Sequence, residues 1–131
     1  MDISELKGSI TACIQGLQYS SESDFPLQLF DWGIKSPAAI QKKITQKCKH
    51  NNATSLAATE FFNRYIQRLE RSSDAILQAD AARYKKLQVL LSANASSIMV
   101  WRCGTISIDI YIVVTTVNGH VLAIKTTAIE T

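Results

Sequence analysis

No stretch of the 131 residues is apolar for long enough to span a bilayer. The opening Met1-Asp2-Ile3-Ser4-Glu5 is acidic and helix-like, without the basic-then-apolar order of a secretory signal. These absences predict a mature, cytoplasmic protein that does not enter membranes. Cysteine is sparse: Cys13, Cys48 and Cys103 are odd in number, far apart and in no CxxC pair. That spacing offers no zinc site and predicts separate thiols in a reducing compartment, not a disulfide framework. His50 and His120 are isolated and read as loop residues, not metal ligands. There is no glycine-rich phosphate loop, no nucleophile elbow and no HExxH helix. Cys48 and His50 are close, but they sit at a lysine-rich helix end with no third group to orient them. The expectation is a non-enzyme without a cofactor.

The composition is that of an ordinary globular protein, and the length suits one domain over residues 1–131. The formal net charge is +3. Lys35, Lys42, Lys43, Lys47 and Lys49 form a run without acids, and Arg64, Arg68 and Arg71 form a second basic group. Such runs are ordinarily solvated helix faces; direct nucleic-acid contact is the alternative they leave open.

Apolar residues at Ile3, Leu6, Ile10, Cys13, Ile14 and Leu17 predict a first helix over 3–17, capped by Asp2 or Ser4 and ended at Gly16. A polar loop follows at 19–24. Phe25-Pro26 then opens a strand, Leu27 to Trp32. Pro37 suits the first turn of a second helix, about 37–49. Residues 50–55 read as a loop. A third helix, about 56–70, carries Phe61, Phe62, Tyr65, Ile66 and Leu69 on one side. A fourth, about 74–93, is capped by Ser72 or Ser73 and has Ile76, Ala79, Leu87, Leu90 and Leu91 as its stripe.

The last third changes to period two, with strands at Ile98–Cys103, Ile106–Thr115 and Val121–Ile129. The turn at Asn118-Gly119 can be chosen by register. A two-residue loop sets the apolar Ile112 against Lys125. A three-residue loop with Gly119 in a bulge pairs Val114 with Leu122, Ile112 with Ile124 and Ile110 with Thr126, so both apolar faces agree. The bulged form is therefore expected, and it carries Glu130 to Ile106. The predicted fold is an α/β/α sandwich around a mainly antiparallel four-stranded sheet, in the order α-β-α-α-α-β-β-β.

Two oxygen-rich places remain. One is the loop Ser21-Glu22-Ser23-Asp24. The other is the chain end, where only Glu130 and Thr131 follow the last strand. A terminal carboxylate beside a hydroxyl is a hard-oxygen donor set of the kind Mg²⁺ accepts. Brought to one rim, these groups would form an anionic prong able to imitate a phosphate in a metal-bearing site of another protein.

Several segments resemble the nuclease A inhibitor family of cyanobacterial proteins. Ser21-Glu22-Ser23-Asp24-Phe25-Pro26, followed by Leu29-Phe30-Asp31-Trp32, is similar to that family's Ser-Glu-Ser-acid-aromatic-Pro segment and strand. Tyr84-Lys85-Lys86-Leu87 resembles its long-helix segment. Val100-Trp101-Arg102-Cys103-Gly104 and Ile108-Asp109-Ile110-Tyr111-Ile112 resemble two of its strands. Glu130-Thr131 matches its last two residues. The resemblance spans most of the chain and is loose over 34–80. It implies a monomeric protein that plugs the active site of a sugar-nonspecific DNA/RNA endonuclease. Glu22 would enter that site, and Thr131 would reach the nuclease's Mg²⁺, with Ser21, Ser23, Asp24 and Glu130 as the surrounding partner-binding residues. The chain departs from the family's acidic character: it is net basic, with Arg68 and Arg71 in 67–73 where the family has acids and an aromatic. A nucleic-acid-binding module, or an adaptor of this fold with another protein partner, are the alternatives.

Overall fold

The structure is a computed structural model and describes residues 1–49 and 53–131. Among the described residues, the elements in chain order are α1 (Ile3–Ile14), β1 (Gln18–Ser20), β2 (Asp24–Pro26), β3 (Gln28–Ile34), α2 (Pro37–Lys47), β4 (Ala53–Ala57), α3 (Ala58–Glu70), α4 (Ala75–Asn94), β5 (Ser97–Cys103), β6 (Ser107–Thr115) and β7 (His120–Ile129).

The main sheet has five strands in the order β3-β7-β6-β5-β4, and β1 pairs with β2 in a separate two-stranded ribbon. All pairings are antiparallel. The expected four-stranded sheet is thus corrected in two places. The segment read as a loop and helix start, 53–57, is instead an edge strand against β5. Its Ala-Thr-Ser-Leu-Ala sequence is too short and mixed to show a period, and β5 supplies the partner that its own propensity does not demand. The polar segment 18–26 folds back on itself as a ribbon, so Pro26 ends a strand instead of opening one. The predicted loop residues His50, Asn51 and Asn52 lie outside the described residues.

The β6–β7 hairpin has the bulged register expected from its apolar faces. Val114 faces Leu122, Ile112 faces Ile124 and Ile110 faces Thr126. Thr116 donates its N–H to His120 O at 2.9 Å, and Gly119 takes φ 80°, which a side chain resists. One extra residue in the turn keeps both faces of the pleat consistent.

Apolar residues sort by parity onto the two sheet faces. Val100, Ile110, Ile112, Val114, Leu122 and Ile124 pack with Leu6, Ile10, Phe62, Leu69, Tyr84 and Leu87 of α1, α3 and α4. On the other face, Tyr111, Val113, Val121 and Cys103 meet Ile44 and Cys48 of α2. The Ile40-Ile44-Cys48 stripe of α2 has the spacing of one helix face. Lys43 Nζ lies 5.3 Å from the Trp32 ring centroid on this side.

Local signals explain the helix ends. Asp2 caps α1, accepting from Glu5 N–H at 2.8 Å. Ser36 caps α2 ahead of Pro37. For α4 the cap is Asp74, not Ser72 or Ser73: its carboxylate accepts from Ile76 N–H at 2.8 Å. The stripe of α4 is also rotated from the expected one. Ala81, Tyr84, Leu87 and Leu91 are buried, whereas Ile76 is 73% exposed. A tyrosine can enter this core because its hydroxyl finds a partner.

The cysteine reading is corrected as well. Cys48, at the end of α2, and Cys103, at the end of β5, form a disulfide with Cα atoms 5.3 Å apart. Fifty-five residues separate them in sequence, so no local spacing announces the pair. Cys13 is free and half-buried.

Candidate functional site

The prong begins at the tip of the β1–β2 ribbon. Ser20 pairs with Asp24, leaving Ser21, Glu22 and Ser23 as the turn. Within it, Ser21 donates both its N–H, at 3.1 Å, and its hydroxyl, at 2.9 Å, to Ser23 O. Two helix tyrosines fix the base of the ribbon. Tyr65 of α3 accepts from Ser20 N–H at 2.8 Å, and Tyr84 of α4 donates to Gln18 O at 2.8 Å. Burial pushes the Tyr84 hydroxyl well above its ordinary pKa, so it stays a neutral donor at any physiological pH.

The end of β7 docks against this turn. Ile129 donates its N–H to Ser21 Oγ at 2.9 Å, and Glu22 donates its N–H to Ile129 O at 3.3 Å. One residue later the chain is held from the other side. Glu130 N–H donates to Ile106 O at 2.9 Å, and Arg102 donates to Glu130 Oε2 at 2.6 Å. Thr131 then turns onto Glu22. Its N–H donates to Glu22 Oε2 and its hydroxyl to Glu22 Oε1, each at 2.5 Å.

Glu22 therefore accepts from both donors of one residue at the other end of the sequence. The Thr131 hydroxyl first, and its backbone N–H second, hold the Glu22 carboxyl below its ordinary value. Each bond favours the ionised form, so the clasp is strongest when Glu22 carries its charge. Glu22, Ser23, Asp24, Glu130 and Thr131 are all exposed, and Ser21 is half-buried. The sequence-predicted residues are thus gathered at one rim, with Asp24 at the ribbon's flank. The corner between β5 and β6 completes the support. Gly104 has φ 111°, and a Cβ there would lie 2.3 Å from Ser107 O. Only glycine turns the chain closely enough to present Ile106 O to Glu130.

The model of the family described as nuclease A inhibitor-like protein matches residues 4–131. The chain belongs to the nuclease A inhibitor-like family. The likeness carried by the Ser-Glu-Ser segment, the Val-Trp-Arg strand and the chain end is borne out over nearly the whole sequence. No individual curated protein matches it.

Sequence reasoning missed the residues that hold the prong of this family member. From the sequence Tyr65 reads as core only, and Tyr84 lies outside the expected stripe of α4. Their hydroxyls were the available signal, since a phenol inside a helix stripe needs a buried partner. Arg102 carried a weaker one, a single cation within an otherwise apolar strand. Its acceptor, Glu130, is 28 residues away and is identified by the sheet alone.

No described helix is long and apolar enough to cross a membrane. The lysine run stands apart from the prong's own hydrogen bonds. Lys42, Lys47 and Lys49 are exposed on and just after α2.

Proposed function

We propose that this chain inhibits a sugar-nonspecific, metal-dependent DNA/RNA endonuclease by seating Glu22 and Thr131 in its active site. Membership of the nuclease A inhibitor-like family supports the general role. The observation that carries the residue assignment is the Glu22–Thr131 clasp at an exposed rim. A nuclease site of this class holds phosphate oxygens with a metal ion and basic groups. A carboxylate next to a threonine hydroxyl and the terminal carboxylate offers oxygens of the same hardness and charge. The clasp uses the Thr131 donors and leaves that residue's carboxylate outside these two bonds. In the complex, Thr131 would reach the nuclease's Mg²⁺ while Glu22 faces the site's cationic groups. Ser21, Ser23 and Asp24 would form the near wall of the contact, with Glu130 steadied by Arg102.

Pre-organisation is the second element of the reading. A flexible tail would lose conformational freedom on binding. A chain end held at Ile129, Glu130 and Thr131 by Ser21, Ile106 and Glu22 has already lost it.

The test is inhibition of a panel of purified Mg²⁺-dependent nonspecific endonucleases. The wild-type chain inhibits at least one. Glu22→Ala weakens that inhibition roughly thirtyfold or more, the effect of removing a central contact. Residues appended after Thr131 weaken it comparably, because the carboxylate is displaced. Equal inhibition by an extended chain would overturn the role of the terminus.

A further inference from the structure

A cationic hollow adjoins the prong. It has a volume of about 590 Å³ and is lined by Arg64, Arg68 and Arg71 of α3 and its C-terminal end, together with Ser20 and Ser21 of the ribbon. The arginines are spaced four and three residues apart, so they form one stripe along the helix. Arg68 donates to Ser20 O, two residues from Glu22. Its guanidinium lies 4.9 Å from the Tyr65 ring centroid and 5.9 Å from that of Tyr19. Arg64 pairs with Glu60 at 2.6 Å, yet its side chain remains 75% exposed. The other acids nearby are committed elsewhere: Glu70 pairs with Lys85, and Asp74 caps α4. Arg71 is exposed and makes no ion pair among the described residues.

We infer that this stripe is the second half of the docking surface and takes an acidic, carboxylate-bearing segment of the protein partner. The inference rests on the proposed inhibitory role of the prong. Charge complementarity carries it. The surface is two-signed over a short span, anionic at Glu22 and Thr131, with Glu130 paired to Arg102, and cationic at Arg64, Arg68 and Arg71. A folded partner can place a metal ion and a carboxylate patch at fixed positions to match both. A nucleic-acid strand spanning both halves would carry its evenly spaced phosphates from the arginines into the prong's carboxylates. The aromatic rings in the stripe offer no base platform either. Tyr19 and Tyr65 are 6% and 3% exposed and lie beneath Arg68. The partner is accordingly a nuclease whose active-site rim is acidic on the side facing α3.

The double variant Arg64→Glu/Arg71→Glu tests this and leaves the stacked Arg68 in place. It should fold normally, checked by its thermal midpoint, since both side chains are exposed. Against a nuclease that the wild type inhibits, the double variant should raise the inhibition constant about tenfold or more through slower association. The difference should shrink as salt rises from about 50 mM to about 500 mM. The lysine double variant at the same positions should retain most of the inhibition. Unchanged or tighter inhibition by Arg64→Glu/Arg71→Glu, with Glu22→Ala still weakened, overturns the stripe and keeps the prong. A wild-type chain that inhibits no nuclease in the panel removes the prong reading and the stripe with it. Binding of a fluorescent oligonucleotide at low salt that Arg64→Glu/Arg71→Glu abolishes would overturn the protein partner and assign the hollow to nucleic acid.

Discussion

Glu22 and Thr131 are 109 positions apart in sequence and share two hydrogen bonds. Each bond stabilises the carboxylate over the carboxylic acid, so the clasp and the Glu22 charge are linked. The folded-state pKa lies below the ordinary value of 4.5. The clasp is therefore complete above that value and is lost as pH falls through the folded one. Thr131→Ala removes the hydroxyl, the larger of the two causes, and keeps the backbone N–H. The Glu22 carboxyl should then titrate closer to 4.5, as read from its carbon resonance across an acid titration by NMR. An unmoved resonance would mean that the threonine hydroxyl does not engage Glu22 in solution. At this scale the sequence was partly legible. An oxygen-rich loop and an oxygen-rich chain end are visible as residue types. The bond between them depends on where the sheet puts β7.

Among the helices, α2 buries the least of itself, with Ile44 alone fully enclosed. Its apolar stripe is short, and its face of the sheet carries the smaller of the two buried clusters. The Cys48–Cys103 bridge fastens the end of this helix to the end of β5. A cross-link closing a loop of 55 residues lowers the entropy of the unfolded chain. In the chain-entropy account this contributes roughly 4 kcal/mol. Denaturant unfolding with and without reductant should show a lower midpoint for the reduced protein, and Cys48→Ser/Cys103→Ser should match the reduced form. Identical midpoints for the oxidised and reduced protein would mean that the bridge does not form. Helices were the most legible elements in the sequence, since Asp2, Ser36-Pro37 and Gly16 mark their ends by side-chain chemistry. Strand β4 and the β1–β2 ribbon were not. Short strands hold no periodic signal, and their pairing partners lie far along the chain.

On the scale of the whole molecule, one polar junction ties three elements together at the sheet edge. Asp31 of β3 accepts from Lys7 of α1 at 2.9 Å, contacts His120 of β7 at 2.6 Å, and accepts from Gly33 N–H at 2.9 Å. The Lys7 ammonium is the chief cause that holds the Asp31 carboxyl down at about 2, from its ordinary 3.8. A carboxylate with a lowered folded pKa contributes stability above its unfolded value, and that contribution disappears as pH falls through the folded one. Asp31→Asn should therefore be less stable than wild type at neutral pH. The gap should close between about 3.8 and about 2, followed by urea midpoints measured across that range. A gap independent of pH would show that the junction acts through shape and not through charge.

By itself the sequence determined the helices with marked ends, the register of the β6–β7 hairpin and the family. Each of these depends on side-chain chemistry or apolar parity between near neighbours, which a linear chain displays. The tertiary structure alone decided the five-strand order, the Cys48–Cys103 pairing, the tyrosine supports of the ribbon and the contact between Glu22 and Thr131. These join residues tens of positions apart, and their geometry exists only once the sheet has assembled. The two-signed rim belongs to the same class: its acids come from two ends of the chain, and its arginines come from a helix between them.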